Sequence, residues 1–242
     1  DNGVMLSNCW LRDPDTGFVY WLRSWGGRAY SLTTKLDGYT VSFDSEGKVS
    51  QGSWIRYNGS WGYVTGGRLT TGWIKDGIDW YYFNEDGTMK ANELCTVDGD
   101  IYYFRTWGGM LYNDWYQNPA DGNWYYFRSW GGALNTGWNK IGIDWYYFNS
   151  DCTIKKDELC WLNGNLYYFR TWGGRQYNAW HQDPATGSWY LFDSEGRAYR
   201  NQRVREGRDT YYFNEDGTMY TGWREENGKT YYFRDWGGMA YS

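Results

Sequence analysis

The chain has 242 residues, a formal net charge of −5 and a mean hydropathy of −0.85, although 23% of its residues are aromatic. Lysine and arginine are scattered singly, and no apolar run approaches the roughly 20 residues of a membrane span, so we expect neither nucleic-acid binding nor membrane insertion. The 19 Trp and 26 Tyr carry polar atoms that must stay hydrated or hydrogen-bonded, which argues against an ordinary aliphatic core.

The aromatic strands recur along the whole chain, and each is marked by the third residue of a Tyr-Tyr-Phe or related triplet. In chain order the markers are Leu22, Phe43, Val64, Phe83, Phe104, Phe127, Phe148, Phe169, Phe192, Phe213 and Phe233, at intervals of 19 to 23 residues. An Asp-Gly or Trp-Gly-Gly turn follows each aromatic strand. A second short strand, often ending in Gly-Trp, and a Gly-containing link come next. Aromatic strands that flank short glycine turns predict β-hairpins, here with the turn joining each aromatic strand to the strand after it.

Stacked hairpins are the fold that this repeat predicts. A single two-stranded hairpin is marginal in water, whereas a stack of them buries a shared face. We therefore predict an all-β fold, an elongated solenoid of about eleven stacked hairpins that forms a single repeat domain over residues 1–242. A longer period of 65 residues relates Phe83 to Phe148 and Trp80 to Trp145, which indicates roughly three hairpins per superhelical turn. Alternation along each strand favours a structural role for the Phe residues.

Five turns carry Trp-Gly-Gly, and their tryptophans are Trp25, Trp107, Trp130, Trp172 and Trp236. Tryptophan is usually largely buried, so its repeated presence at a turn needs a reason. Two interpretations stay open. The rings are exposed and stack on a ligand, or they fold back over the neighbouring hairpin and cap its core.

The sequence predicts no catalytic residue, no metal site and no cofactor. It has no Gly-x-Ser-x-Gly elbow, no phosphate loop and no Cys–His constellation, and its acids recur in turns such as Asn84-Glu85-Asp86-Gly87. His181 is the only histidine, and no close Cys/His spacing suits zinc. We expect free thiols at the four cysteines, which are Cys9, Cys95, Cys152 and Cys160.

The runs Thr221-Gly222-Trp223, Tyr231-Tyr232-Phe233 and Tyr211 to Met219 resemble the cell-wall-binding repeat superfamily. The superfamily includes choline-binding modules of Gram-positive surface proteins, glucan-binding domains and the repetitive domains of clostridial toxins. The resemblance covers nearly the whole chain. It implies a β-hairpin solenoid with shallow aromatic ligand pockets between consecutive hairpins. In the choline branch it implies pockets at Trp73 with Trp80, at Trp138 with Trp145, and at Trp223 with Tyr231 and Met239.

The chain departs from the choline pattern, and the departures favour a sugar ligand. Leu94 and Leu159 stand where a Gly-Trp tryptophan is expected, and the Asp-Gly turn becomes Trp-Gly-Gly in five units. Exposed rings can stack on the C–H faces of a sugar. We therefore predict a non-catalytic polysaccharide-binding module, with a glucan or cell-wall glycan as ligand. The predicted ligand-binding residues are Trp107, Trp172, Trp236, Trp130, Trp25, Trp115 and Trp180.

Two other functions stay open. One is a choline-binding module that anchors a protein to choline-decorated teichoic acid, for which the inter-hairpin pockets would be the sites. The other is a structural stalk or protein-docking repeat. In each case we expect part of a larger multidomain protein that is secreted by, or displayed on, a Gram-positive bacterium.

Overall fold

The computed structural model describes residues 3–240 and contains no helix there, so none of these residues forms a helix able to cross a membrane. The strands of this range are β1 (Cys9–Arg12), β2 (Val19–Leu22), β3 (Leu32–Leu36), β4 (Tyr39–Phe43), β5 (Ser53–Tyr57), β6 (Ser60–Thr65), β7 (Arg68–Leu69), β8 (Gly72–Asp76), β9 (Asp79–Phe83), β10 (Glu93–Val97), β11 (Asp100–Phe104), β12 (Asp114–Gln117), β13 (Trp124–Phe127), β14 (Gly137–Ile141), β15 (Asp144–Phe148), β16 (Glu158–Leu162), β17 (Asn165–Phe169), β18 (Ala179–Gln182), β19 (Trp189–Phe192), β20 (Gln202–Glu206), β21 (Asp209–Phe213), β22 (Gly222–Glu226) and β23 (Lys229–Phe233).

Each aromatic strand pairs with the strand that precedes it. Among residues 3–240 the sheets are two-stranded, apart from the three-stranded sheet of β5, β6 and β7. The prediction that the aromatic strand pairs with the strand after it is therefore wrong. Between β10 and β11 the turn residues Asp98 and Gly99 have φ of 51° and 91°. Positive φ at both central residues suits the tight turns whose twist matches antiparallel strands.

The Trp-Gly-Gly and Asp-Gly turns connect one hairpin to the next instead of closing a hairpin. After such a turn the chain makes a single antiparallel bridge, as Phe104 does with Met110. The Met110 amide also donates a hydrogen bond of 2.8 Å to the Trp80 carbonyl of the preceding hairpin. The Met219 amide donates in the same way to the Trp189 carbonyl, at 2.7 Å. This repeated bond fixes the residue after each turn against the first residues of the previous aromatic strand.

The phenylalanines of the aromatic strands form the core. Eight of them are at most 1% exposed, namely Phe83, Phe104, Phe127, Phe148, Phe169, Phe192, Phe213 and Phe233. Phe104 packs against Trp73 of the preceding hairpin, with ring centroids 5.7 Å apart. The predicted structural role of these residues is confirmed. The core of the hairpin array therefore consists largely of aromatic rings instead of aliphatic side chains.

The chain forms two compact units. The first comprises Asp1–Asn118 with Tyr126–Ala133, and the second comprises Pro119–Tyr125 with Leu134–Ser242. Antiparallel hairpins build both units, which confirms the predicted all-β hairpin fold. The single repeat domain and the three hairpins per superhelical turn stay predictions.

Candidate functional site

The Trp-Gly-Gly turns hold each indole flat over the second glycine of its own turn. A Cβ atom on Gly132 would lie 2.0 Å from Cη2 of Trp130. The first glycine, Gly131, has a φ of +93°, and a Cβ atom there would lie 2.2 Å from Sδ of Met110. Both glycines are therefore needed, one for the close approach of the ring and one for a left-handed backbone. Trp130 still leaves 48% of its surface exposed, so one face packs and the other is open.

The first unit contains a largely aromatic pocket, and five of its lining residues form what we call the Trp73 cage: Trp73, Trp80, Tyr102, Met110 and Trp130. Ile78, Tyr112 and Ser129 line the rest of the pocket. The ring centroid of Trp73 lies 6.4 Å from that of Trp80 and 4.9 Å from that of Tyr102, at angles of 83° and 65°. Tyr102 lies 6.1 Å from Trp130. The rings line a cavity of about 580 Å³. Three successive hairpins contribute, and the hydrogen bond from Met110 to Trp80 aligns two of them.

The second unit repeats this arrangement in the Trp180 cage: Trp180, Trp189, Tyr211, Met219 and Trp236. Trp180 lies 6.3 Å from Trp189 and 4.8 Å from Tyr211, at angles of 78° and 68°. Tyr211 lies 6.2 Å from Trp236. The cavity here is about 220 Å³. The two units carry the same residue types at five equivalent positions, with nearly equal ring distances, which indicates one site design.

A third set of rings in the first unit has the same residue types, namely Trp54, Trp61, Tyr81, Met89 and Trp107. Trp54 lies 4.8 Å from Tyr81, and Tyr81 lies 6.0 Å from Trp107. The guanidinium carbon of Arg56 lies 5.1 Å from the Trp61 ring, much as the Nζ atom of Lys75 lies 5.9 Å from the Trp80 ring in the Trp73 cage.

A fourth set, in the second unit, differs from the cages at two of the five positions. Trp138 lies 4.9 Å from Tyr167 at 67°, as in the cages. Arg175 stands where the cages have Met, and Glu195 stands where they have the turn Trp. The guanidinium carbon of Arg175 lies 5.6 Å from the Trp138 ring.

The turn tryptophans and the inter-hairpin pockets, predicted as alternative sites, therefore meet in one site. Trp130 and Trp236 join the cages, and Trp107 joins the third set. Trp172 lies 5.9 Å from Tyr146. Trp25 is 62% exposed, with the guanidinium carbon of Arg23 at 5.9 Å from its ring. Trp115 packs against Tyr126 at 5.0 Å.

The predicted pocket at Trp223, Tyr231 and Met239 is an open groove of about 670 Å³. Tyr231 lies under Arg203 of the preceding hairpin, with the guanidinium carbon 4.5 Å from the ring. In the Trp73 cage, the residue that packs on the equivalent tyrosine, Tyr102, is Trp73. Arg203 therefore takes the position of the central tryptophan. The sequence prediction grouped Tyr231 and Met239 with Trp223. In the structure both belong to the hairpin of Trp223, whereas the cages take Tyr and Met from the hairpin after that of their Trp pair.

Sequence reasoning missed the tyrosines and methionines of the cages, along with Trp54, Trp61 and Trp189. One signal was available. The cage methionines stand six residues after an aromatic-strand Phe, as do Met89 and Met239.

The electrostatics of the cages favour a cation. Burial raises the pKa of Tyr102, and the carboxylates of Asp100 and Asp98 raise it further. Burial likewise raises the pKa of Tyr211, with Asp209 and Glu206 adding to the shift. Each cage tyrosine thus stays protonated and lies in the negative field of two acids. Rings around a cation give cation–π attraction. This attraction does not require the ligand to carry a hydrogen-bond donor. Residues 3–240 contain no group of three metal-ligating side chains.

Two repeat families match the chain. One is described as a choline-binding repeat and matches residues 70–115 and 206–242. The other is a cell wall binding repeat and matches residues 113–133 and 136–151. The Trp73 cage lies wholly within the matched ranges, whereas Trp180 and Trp189 of the Trp180 cage lie outside them. No curated protein matches the chain in sequence.

Several solved structures from Streptococcus pneumoniae share the fold. The choline-binding domain of CbpL is 26% identical over 71% of this chain and 87% of that chain, with a TM-score of 0.57. Choline binding protein F is 22% identical over 98% of this chain and 94% of that chain, with a TM-score of 0.63. The modular autolysin LytC is 22% identical over 97% of this chain, with a TM-score of 0.56. This chain spans 53% of the LytC chain, about half its length.

Proposed function

We propose that this chain, a member of the cell-wall-binding repeat superfamily, is a non-catalytic module that binds choline groups on cell-wall teichoic acid. The observation that carries the proposal is the repetition of one aromatic cage, at Trp73 and at Trp180, in two separate compact units. A trimethylammonium group is a compact cation without hydrogen-bond donors, and quaternary ammonium recognition by aromatic cages is a common use of cation–π attraction.

The departures from the Gly-Trp pattern do not argue against choline. Leu94 and Leu159 remove the central ring from their own hairpins, while Trp73 and Trp180 keep all five residues of their cages. The array therefore carries a few complete sites among incomplete ones. When the ligand is a repetitive polymer, binding at one site raises the effective concentration of ligand at the other sites of the same chain. Weak sites can then give tight overall binding. This role places the module at the surface of the bacterium or in its surroundings.

Polysaccharide binding is the second candidate, and the half-exposed turn tryptophans favour it. Trp107, Trp130 and Trp236 leave 48%, 48% and 51% of their surface in solvent. An open indole face could stack on a sugar ring. The same rings belong to the cages or to the third set. A sugar and a choline group would therefore bind to the same residues and compete with each other.

Affinity chromatography separates these functions. The chain is applied to a choline-matrix resin, to insoluble starch and to insoluble cellulose, and is eluted with free choline. We expect retention on the choline resin and release by choline. Retention on starch or cellulose that free choline does not release would instead support the polysaccharide function. Passage through all three columns would contradict both and favour a stalk or protein-docking repeat.

A further inference from the structure

Arg175 occupies the backbone position that methionine holds in the complete cages. Its amide donates a hydrogen bond of 2.8 Å to the Trp145 carbonyl, as the Met110 amide does to Trp80. A Cβ atom on Gly196 of the next turn would lie 2.6 Å from Cδ of Arg175, as one on Gly131 would contact Met110. The arginine stem thus follows the path of the methionine side chain under the next turn.

The guanidinium of Arg175 lies against the central ring of this set, which we call the Trp138 cage: Trp138, Trp145, Tyr167 and Arg175. Its Cζ is 5.6 Å from the Trp138 ring. Its Nε is buried and makes no hydrogen bond with any residue of the range 3–240. The contact with the Trp138 ring therefore offsets part of the hydration that this nitrogen loses on burial.

Two carboxylates act on the charge of Arg175, and both also pair with Arg197. Burial lowers the pKa of Arg175, whereas the carboxylates of Asp193 and Glu195 act to raise it. A guanidinium stays protonated in proteins, so the group over Trp138 is a cation. Glu195 stands where the complete cages have their turn tryptophan, so the loss of that ring and the gain of an arginine occur together.

We propose that Arg175 is a built-in cation ligand of the Trp138 cage and excludes quaternary ammonium ligands from it. The inference rests on the proposed function, because it assumes that the complete cages bind such cations. A ligand joined to the same chain has a high effective concentration at its site. An external trimethylammonium group would have to displace it and leave the guanidinium without its rings. Arg175 therefore limits the number of working sites in the chain.

The test uses the variant Arg175→Met, which gives the Trp138 cage the methionine of the complete cages. Choline chloride is titrated into the whole chain, and the indole N–H signals are followed by nuclear magnetic resonance. Trp138→Phe, Trp161→Phe and Trp180→Phe variants assign the three reporter signals. Arg175→Ile is the second variant, because Ile154 fills the same position of another hairpin. The melting temperature of each variant shows whether it is folded.

The matched control is Arg200→Met. Arg200 also covers an indole, with its guanidinium carbon 4.3 Å from the Trp161 ring. The aromatic strand of that hairpin begins with Asn165-Leu166, and Leu159 stands at the central cage position, so uncovering Trp161 provides one ring and no cage. A gain caused merely by exposing an indole would occur in both variants.

We expect the Trp138 signal to be unchanged by choline in the wild-type chain, and the Trp161 signal to be unchanged in Arg200→Met. In Arg175→Met the Trp138 signal should shift to saturation, at a higher choline concentration than the Trp180 signal, because Glu195 still stands in place of the turn tryptophan. A wild-type Trp138 signal that titrates with Trp180 would overturn the inference. So would a folded Arg175→Met or Arg175→Ile chain whose Trp138 does not respond while Trp180 does. If Trp180 is silent in the wild type, the proposed function fails. The response of Trp138 in Arg175→Met then decides the inference alone.

Discussion

Trp130 and Tyr102 lie in successive hairpins, and their ring centroids are 6.1 Å apart at an angle of 69°. The same relationship joins Trp107 to Tyr81 and Trp236 to Tyr211, at 6.0 Å and 6.2 Å. In these sets, the turn tryptophan therefore lines a pocket whose other residues come from the two preceding hairpins. This answers why tryptophan recurs at a turn. One face of the indole packs on the second glycine of its own turn. The ring also contacts the tyrosine of the preceding hairpin and so completes the pocket there.

Trp80 and Trp189, which lie near the start of β9 and β19, should contribute to the affinity for choline with little effect on the stability of the fold. Trp80 and Trp189 are each 40% exposed. Removing one ring by Trp80→Ala or Trp189→Ala should weaken choline binding in its own cage by about 1–2 kcal/mol, roughly a five- to thirtyfold rise in Kd. Calorimetric titration measures this. Trp161→Ala, which removes an indole of 49% exposure, is the control and should bind as the wild type does. Equal losses in all three variants would contradict a role specific to the cages.

Gly132→Ala should act through Trp130. The new methyl group would meet the indole at 2.0 Å, so the ring must leave its place over the turn. We expect Gly132→Ala and Trp130→Ala to raise the Kd of the Trp73 cage to a similar extent. The double variant should add little to either, since both changes remove the same wall. Additive losses would mean that Gly132 supports the site by another route. The titration is read from the indole signal of Trp73.

The aromatic core should dominate stability. Phe169 is 0% exposed, so Phe169→Ala should lower the free energy of unfolding by about 3–5 kcal/mol. Ile143, in the same unit, is 84% exposed, and Ile143→Ala should change that free energy by no more than about 0.5 kcal/mol. Urea unfolding followed by circular dichroism gives both values. A small effect of Phe169→Ala would show that the hairpins are held by something other than their phenylalanine row.

Cys95 should be a poorly reactive thiol in the folded chain. It lies opposite Tyr102 in its hairpin, and burial raises its pKa to about 11. Roughly one molecule in a thousand then carries the thiolate at pH 8, and the thiolate is the form that reacts. Alkylation by iodoacetamide, read by peptide mass spectrometry, should be slow at pH 8 and accelerate towards pH 11. Unfolding in urea should restore the rate of an ordinary cysteine. A folded rate as fast as the unfolded one would contradict this burial.

The sequence was sufficient for the fold because the repeat is carried by strong local signals. Tyr-Tyr-Phe strands, Asp-Gly turns and a near-constant period specify antiparallel hairpins, and strand alternation identifies the buried Phe. The pairing was assigned to the wrong side of each aromatic strand, because Asp98-Gly99 and Trp107-Gly108-Gly109 are both turn signals. Only the positive φ of Asp98 and Gly99 together distinguishes the hairpin turn.

The candidate site was harder to predict, because each cage is assembled from three hairpins. Trp73, Tyr102 and Trp130 are far apart in sequence, and no local pattern states which ring meets which. The position of Arg175 carries a local signal, since it replaces a methionine of the repeat. Its contact with Trp138 depends on the stacking of hairpins, which only the structure shows.

The most direct test of choline recognition is a crystal structure of the chain grown or soaked with choline. We predict a trimethylammonium group between Trp73, Trp80 and Tyr102, and a second between Trp180, Trp189 and Tyr211, with the Trp138 cage still filled by Arg175. Empty cages, with choline absent or bound only on the outer faces of the turn tryptophans, would contradict the account.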